Sequence, residues 1–185
     1  FLCVAFQNKV AYAMKGRTLH SAADLGIGNK TYQNNMQHTD VDLQYIRDQS
    51  LRWILIDEMF MIPDDLLGSF EKKKSDASVD SLYTERSDGS KQIFAGYNTL
   101  KFGDTMQLPP IPSTSALSLP EHVKNPKSCG PNAMKMLDMF WGDGADSINY
   151  FVELKQQMRI EDPWYLVCLH QCRQGDLEDD RCPVS

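Results

Sequence analysis

The chain has 185 residues, 42% of them hydrophobic and 24% charged, with a formal net charge of −6 and a pI near 5.1. That is enough apolar material for one ordinary globular core, and the length fits one domain better than two. The acidic balance excludes a bulk basic surface as the means of holding nucleic acid, so any such contact must be local.

No apolar run approaches the length of a membrane span, and the opening "FLCVAFQNKV" has neither a basic leader nor a small-residue cleavage site. The expectation is a soluble, intracellular protein with no membrane partner. Five scattered cysteines, Cys3, Cys129, Cys168, Cys172 and Cys182, suit reduced thiols better than a disulfide framework. Phe1 already lies inside an apolar run, which leads us to expect a fragment cut within a domain.

Taken in chain order, "FLCVAF" at 1–6 reads as a strand and "KVAYAM" at 9–14 as a helix. A helix is expected across "TDVDLQYIRDQ" (39–49), then a strand in "RWILID" (52–57) and a helix in "PDDLLGSF" (63–70). The polar stretch "EKKKSDASVDSLYTERSDGSK" reads as an inserted loop over 71–92. A strand follows in "YNTLKFGD" (97–104), then a loop rich in Pro, Ser and Gly over 109–132, and a helix in "NAMKMLDMFW" (132–141). "NYFVEL" (149–154) reads as the last strand. In the final helix, Asp162 stands as N-cap, Pro163 as first helical residue and Gly175 as terminator. Short strands separated by helical material favour a parallel sheet covered by helices on both faces.

Candidate chemistry begins with "WILIDEMFMI", where a strand-length apolar run ends on Asp57 and Glu58. Buried carboxylates are costly unless paired. In a parallel sheet, however, the carboxyl ends of the strands open onto the crevice where ligands bind. One acid there can hold magnesium, a hard cation that prefers oxygen ligands, while the next prepares a water; the same pair also occurs at an ordinary exposed strand end. "LKFGDTMQLPPI" is a second strand ending in Gly-Asp, with Gln107 held before the stiff pair Pro109-Pro110. That glutamine either reaches the same crevice or caps backbone groups. In "ELKQQMRIEDPW", Arg159 is either a surface arginine or a guanidinium reaching a phosphate. The glycines of "LGIGNKT" (25–31) do not make a phosphate loop, because no strand delivers them to a helix N-terminus. Cys168, His170 and Cys172 fall short of a zinc site, since a helix turns His170 away from the two thiols.

"ILIDEMFMI", "FGDTMQLPPI" and "ELKQQMR", in this order, resemble motifs II, III and IV of the Pif-one/RecD-like DNA helicases of superfamily one, and "VAFQNKVAYAMKGRTLHSA" resembles their motif Ia. The similarity runs from about Val4 to Gly175. It implies an α/β fold, a RecA-like P-loop NTPase motor lobe with a parallel sheet flanked by helices. That lobe would be incomplete at its N-terminus, occupying 1–185 without the phosphate loop or the second lobe. The resemblance further implies ATP and Mg2+ as cofactors. Asp57 would hold the metal through water and Glu58 would activate the attacking water. Gln107 would sense the γ-phosphate, Arg159 would contact it, and Asp104 would support the motif III turn. Thr18 and His20 would meet single-stranded DNA, a hydroxyl bonding phosphate and an imidazole stacking on a base. As a lone histidine, His20 also fits a structural role. The implied partners are single-stranded DNA, duplex junctions and ATP. The implied activity is ATP-driven DNA unwinding in repair, recombination and telomere or genome maintenance. Phe6-Gln7-Asn8 departs from the Pro-Thr-Gly usual in motif Ia. A rival reading is a degenerate, mobile-element-derived helicase remnant that only binds.

Overall fold

A computed structural model describes residues 1–23, 25, 50–78, 84–107, 110 and 130–175. The described residues fall into two compact units, 1–148 and 149–185. The expected helix at 39–49, the decoy glycines at 26–28, and most of the Pro- and Ser-rich stretch, including Pro109, lie outside the described residues.

The first unit is built on a four-stranded parallel sheet in the order β2-β1-β3-β4. The strands are β1 (Leu2–Ala5), β2 (Arg17–Thr18), β3 (Trp53–Asp57) and β4 (Asn98–Lys101). Register places Val4 beside Ile56, and Ile56 beside Lys101. Side chains alternate along a strand, so Val4, Ile54 and Ile56 share one face, and all three are fully buried. That face meets α3 (Asp64–Asp76), which buries Leu66, Leu67 and Phe70 and places Asp64 and Asp65 in its first turn and Lys73 and Lys74 in its last, matching the helix dipole. Burying each of those apolar side chains contributes about 2 kcal/mol, well above any single capping or dipole effect. Two shorter helices, α1 (Asn8–Ala13) and α2 (Leu19–Ala22), follow β1 and β2. A further helix, α4 (Pro131–Trp141), packs on α3 and adds Met136 and Met139 to the core.

The expected strands at the first three places and the helices at α1 and α4 are present. The loop reading of 71–92 needs correction. Residues 71–76 complete α3, and 84–92 fold back through an antiparallel bridge between Glu85 and Lys91. Polarity misleads here because Glu71 is buried with its partners supplied. Its carboxylate accepts bonds from Ser75 Oγ (2.7 Å), the Phe94 amide (3.0 Å) and Lys135 Nζ (2.6 Å). A buried carboxylate so satisfied costs little, whereas an unpaired one costs several kcal/mol. Arg86 likewise ties the fold-back to Asp146, which also accepts the Ile93 amide (3.0 Å). These bonds hold a left-handed turn at Phe94 (φ 52°) and Ala95 (φ 52°) that leads into β4.

In the second unit, residues 149–162 form neither helix nor strand, and "NYFVEL" pairs with no strand among the described residues. An apolar run needs a ladder neighbour to become a strand, and Tyr150, Phe151 and Leu154 stand exposed. α5 (Pro163–Gln174) begins and ends where its signals lie. Asp162 Oδ1 accepts from Trp164 N (2.9 Å) and Tyr165 N (3.3 Å), and Gly175 closes it at φ 72°. No helix among the described residues is long and apolar enough to cross a membrane.

Candidate active site at the carboxyl edge of the sheet

All four strands run the same way, so their carboxyl ends share one edge. Register sets Thr18, Ala5 and Asp57 side by side across β2, β1 and β3. β4 leaves the sheet next to β3, since Phe102 N donates to Ile56 O (2.8 Å) and Met59 N returns a bond to Phe102 O (3.0 Å). Asp57 and Glu58 therefore sit beside the segment that carries Asp104 and Gln107.

The local geometry is unusual at Glu58. Its backbone adopts φ 51° and ψ 43°, the left-handed region that costs a residue with a side chain about 1–2 kcal/mol. Asp57 Oδ1 accepts the Glu58 amide at 2.9 Å and braces this kink. The chain then turns at once through Met59–Met61, so the two acids end the strand rather than extend it. Both are half-buried, neither sealed in the core nor fully in water.

Across the gap, Asp104 closes its own turn. Its Oδ1 accepts from Met106 N (3.0 Å), and its carbonyl accepts from Gln107 N (3.3 Å). Gln107 is exposed. Gly103 makes the close approach possible: a Cβ there would lie 2.7 Å from Phe60 Cδ2 and 3.4 Å from Met59 N. A side chain at 103 would push the β4 exit away from the acids.

On the far side of β1, Thr18 Oγ1 accepts from Ser21 N (3.2 Å) and caps α2, so this hydroxyl has a structural task as well. His20 lies in that helix with its ring 6.3 Å from Phe6, and burial lowers its pKa, favouring the neutral imidazole. Phe6, at the altered motif Ia position, packs against the core, and Gln7 Nε2 reaches Met61 Sδ at 3.9 Å. Arg159 belongs to the second unit, in the irregular segment before α5. Its amide and that of Ile160 are both held by Gln157 Oε1, and its side chain is exposed. The first unit thus brings together Asp57, Glu58, Asp104 and Gln107, with Thr18 and His20 two strands away along the same edge.

One polar group near this edge escaped the sequence reading. Lys101 ends β4 with its ammonium 2.8 Å from Thr99 Oγ1 and 5.5 Å from the Phe94 ring centroid. Burial pushes its pKa down to about 8. The sequence held no clear signal for it, because β4 reads Asn-Thr-Leu-Lys and only the register beside Ile56 turns Lys101 inward.

The donor set suits a hard divalent cation: Asp57 offers a half-exposed carboxylate at the open strand end, where a cation keeping most of its waters needs few protein ligands. No protein-family model matches the sequence, and no curated protein does. Solved structures do. A Pif1 helicase from Candida albicans matches with TM-score 0.64 at 22% identity, covering 97% of this chain and 35% of that one. A Bacteroides Pif1 helicase in complex with ADP-AlF3 and single-stranded DNA matches with TM-score 0.62 at 20% identity, over 97% of this chain and 38% of that one. A structure of two Pif1 helicases coordinating at forked duplex DNA matches with TM-score 0.60 at 20% identity, over 97% and 39%. The chain spans less than two fifths of the length of these proteins. With its four parallel strands and flanking helices, the chain has the α/β, RecA-like fold that these Pif1 helicase structures carry.

Proposed function

We propose that the chain forms part of the first motor lobe of an ATP-dependent DNA helicase, and that its carboxyl edge contributes to ATP binding and hydrolysis in the complete protein. The observation that carries this reading is the meeting of Asp57 and Glu58 with the Gly103–Gln107 turn on adjacent parallel strands. Asp57 would hold a magnesium ion, which when bound would offset charge on the nucleotide's phosphates. Glu58, turned out of the strand by its left-handed backbone, accepts the proton of the water that attacks the γ-phosphate. Gln107 contacts the γ-phosphate from the β4 turn that Asp104 closes. The resemblance assigns Arg159, in the second unit, a guanidinium contact to a γ-phosphate.

Thr18 and His20 contact single-stranded DNA. A neutral imidazole suits stacking on a base, and a strand lying along this edge would pass from them toward the nucleotide side. The solved neighbours were studied with ADP-AlF3, single-stranded DNA and forked duplex DNA, which supports ATP, single strands and duplex junctions as partners here. The resemblance extends the reading to DNA repair, recombination and telomere or genome maintenance, and to the nucleus or another DNA-containing compartment in a eukaryote.

The test is DNA-stimulated ATP hydrolysis by the full-length parent protein. Glu58→Gln preserves shape and removes the base, and should lower turnover by about 10²-fold or more while nucleotide binding persists. Turnover within a few-fold of the unaltered protein would refute the assignment of Glu58.

A further inference from the structure

The first twenty-three residues hold no acid and three cations, Lys9, Lys15 and Arg17, in a chain whose overall charge is −6. All three are exposed, and among the described residues none has an ion-pair partner. Tyr12 lies between them, 84% exposed, and Lys9 and Tyr12 share a face of α1 at i, i+3 spacing.

Lys15 adds a second, independent observation. α1 ends in a Schellman closure, in which Lys15 N donates to Tyr12 O (3.0 Å) and Gly16 N to Ala11 O (2.8 Å). The residue at the left-handed position of that closure is normally glycine, but here it is Lys15, at φ 55°. Holding a lysine there in place of glycine costs about 1 kcal/mol of backbone strain. Gly16 fixes where it sits. A Cβ at 16 would fall 2.3 Å from Cys3 O, so the turn lies directly on β1 and presents Lys15 and Arg17 outward on either side.

We propose that the outer face of α1 and the α1–β2 turn form a nucleic-acid contact distinct from Thr18 and His20: Lys9, Lys15 and Arg17 bind the phosphates of a single strand, and Tyr12 stacks on a base. A planar, exposed aromatic among cations selects an unpaired base over a duplex, whose bases are already stacked. The inference rests on the reading of the chain as part of a DNA motor, but it needs no nucleotide pocket.

The experiment is fluorescence anisotropy of a labelled oligo-dT with this chain over a series of salt concentrations. The triple variant Lys9→Gln, Lys15→Gly, Arg17→Gln should weaken binding at least tenfold near 0.1 M salt. It should also flatten the salt dependence by about two in log–log slope, since each phosphate contact to a single strand contributes about 0.7. Because Lys15→Gly relieves a strained backbone, lost folding is not the expected cause, and circular dichroism of the variant checks this. Tyr12→Ala should weaken oligo-dT binding about tenfold yet leave binding of dextran sulfate, a polyanion without bases, unchanged. Unaltered affinity and slope in the triple variant overturn the inference, as does absence of binding by the unaltered chain. If Thr18→Ala and His20→Ala weaken binding while the α1 variants do not, this contact is wrong and the helicase reading stands. If Glu58→Gln leaves the parent's ATP hydrolysis intact while the α1 variants lose DNA, the assignment of Glu58 fails and this contact stands.

Discussion

Glu58 offers a prediction in which the usual order of two residues inverts. In an ordinary helix or strand position glycine is less stable than alanine by about 0.5–1 kcal/mol, because it loses more backbone freedom on folding. At φ 51° and ψ 43° the alanine Cβ meets the following carbonyl, a penalty of about 1–2 kcal/mol that glycine escapes. Comparing Glu58→Gly with Glu58→Ala cancels the loss of the carboxylate, which both remove, and keeps the bond from residue 58 N to Asp57 Oδ1. The net expectation is that the glycine variant is more stable by about 0.5–1 kcal/mol. Urea unfolding followed by circular dichroism reads this directly. With a slope near 2 kcal/mol/M, the glycine midpoint should lie roughly 0.3–0.5 M above the alanine midpoint. An alanine variant equal to or more stable than the glycine variant would refute the strained turn and, with it, the account of how Glu58 is swung out of β3.

Three further outcomes follow from the same edge and core. Gly103→Ala should destabilise the chain by about 1–3 kcal/mol as Phe60 is displaced, and a urea midpoint equal to that of the unaltered chain would contradict the close approach. Ile56→Ala, at a fully buried position between Val4 and Lys101, should cost about 2–5 kcal/mol in the same assay. Lys101 carries a pH signal. Its pKa is lowered from 10.5 to about 8 in the folded chain, so between those values the unfolded chain binds more protons and stability rises with pH. The penalty is fully present below pH 8 and disappears above 10.5. Lys101→Met should therefore stabilise the chain at pH 7 and flatten the rise between pH 8 and 10.5, as seen in thermal midpoints measured across that range.

Much of this architecture is legible in residue order because its signals are local. β3 is an unbroken apolar run, α5 is bracketed by Asp162-Pro163 and Gly175, and the acids of "ILIDE" sit where a parallel sheet opens. Long-range satisfaction was not legible. Glu71 reads as solvated until Ser75, Lys135 and the Phe94 amide are seen around it, and these lie up to 64 residues away. The same holds for the contact of Phe60 with Gly103, which sets the spacing of the candidate site but leaves no trace in either segment alone. "NYFVEL" shows the converse limit, since composition announces a strand but only a neighbour can complete it. The short β2–α2 step was hidden for a third reason. Two residues of strand followed by one helical turn are too brief for any periodicity to register.

The row Thr18–Ala5–Asp57 has a consequence for how such a protein tolerates change. Each group hangs from the last rung of a strand, and the rungs are locked by backbone bonds that take no notice of side-chain identity. Crossovers can lengthen, shorten or drift in composition while the residues at the strand ends keep their separation, as a bridge keeps its span when the roads to it are rerouted. Chains that share barely a fifth of their residues can therefore still keep the same fold.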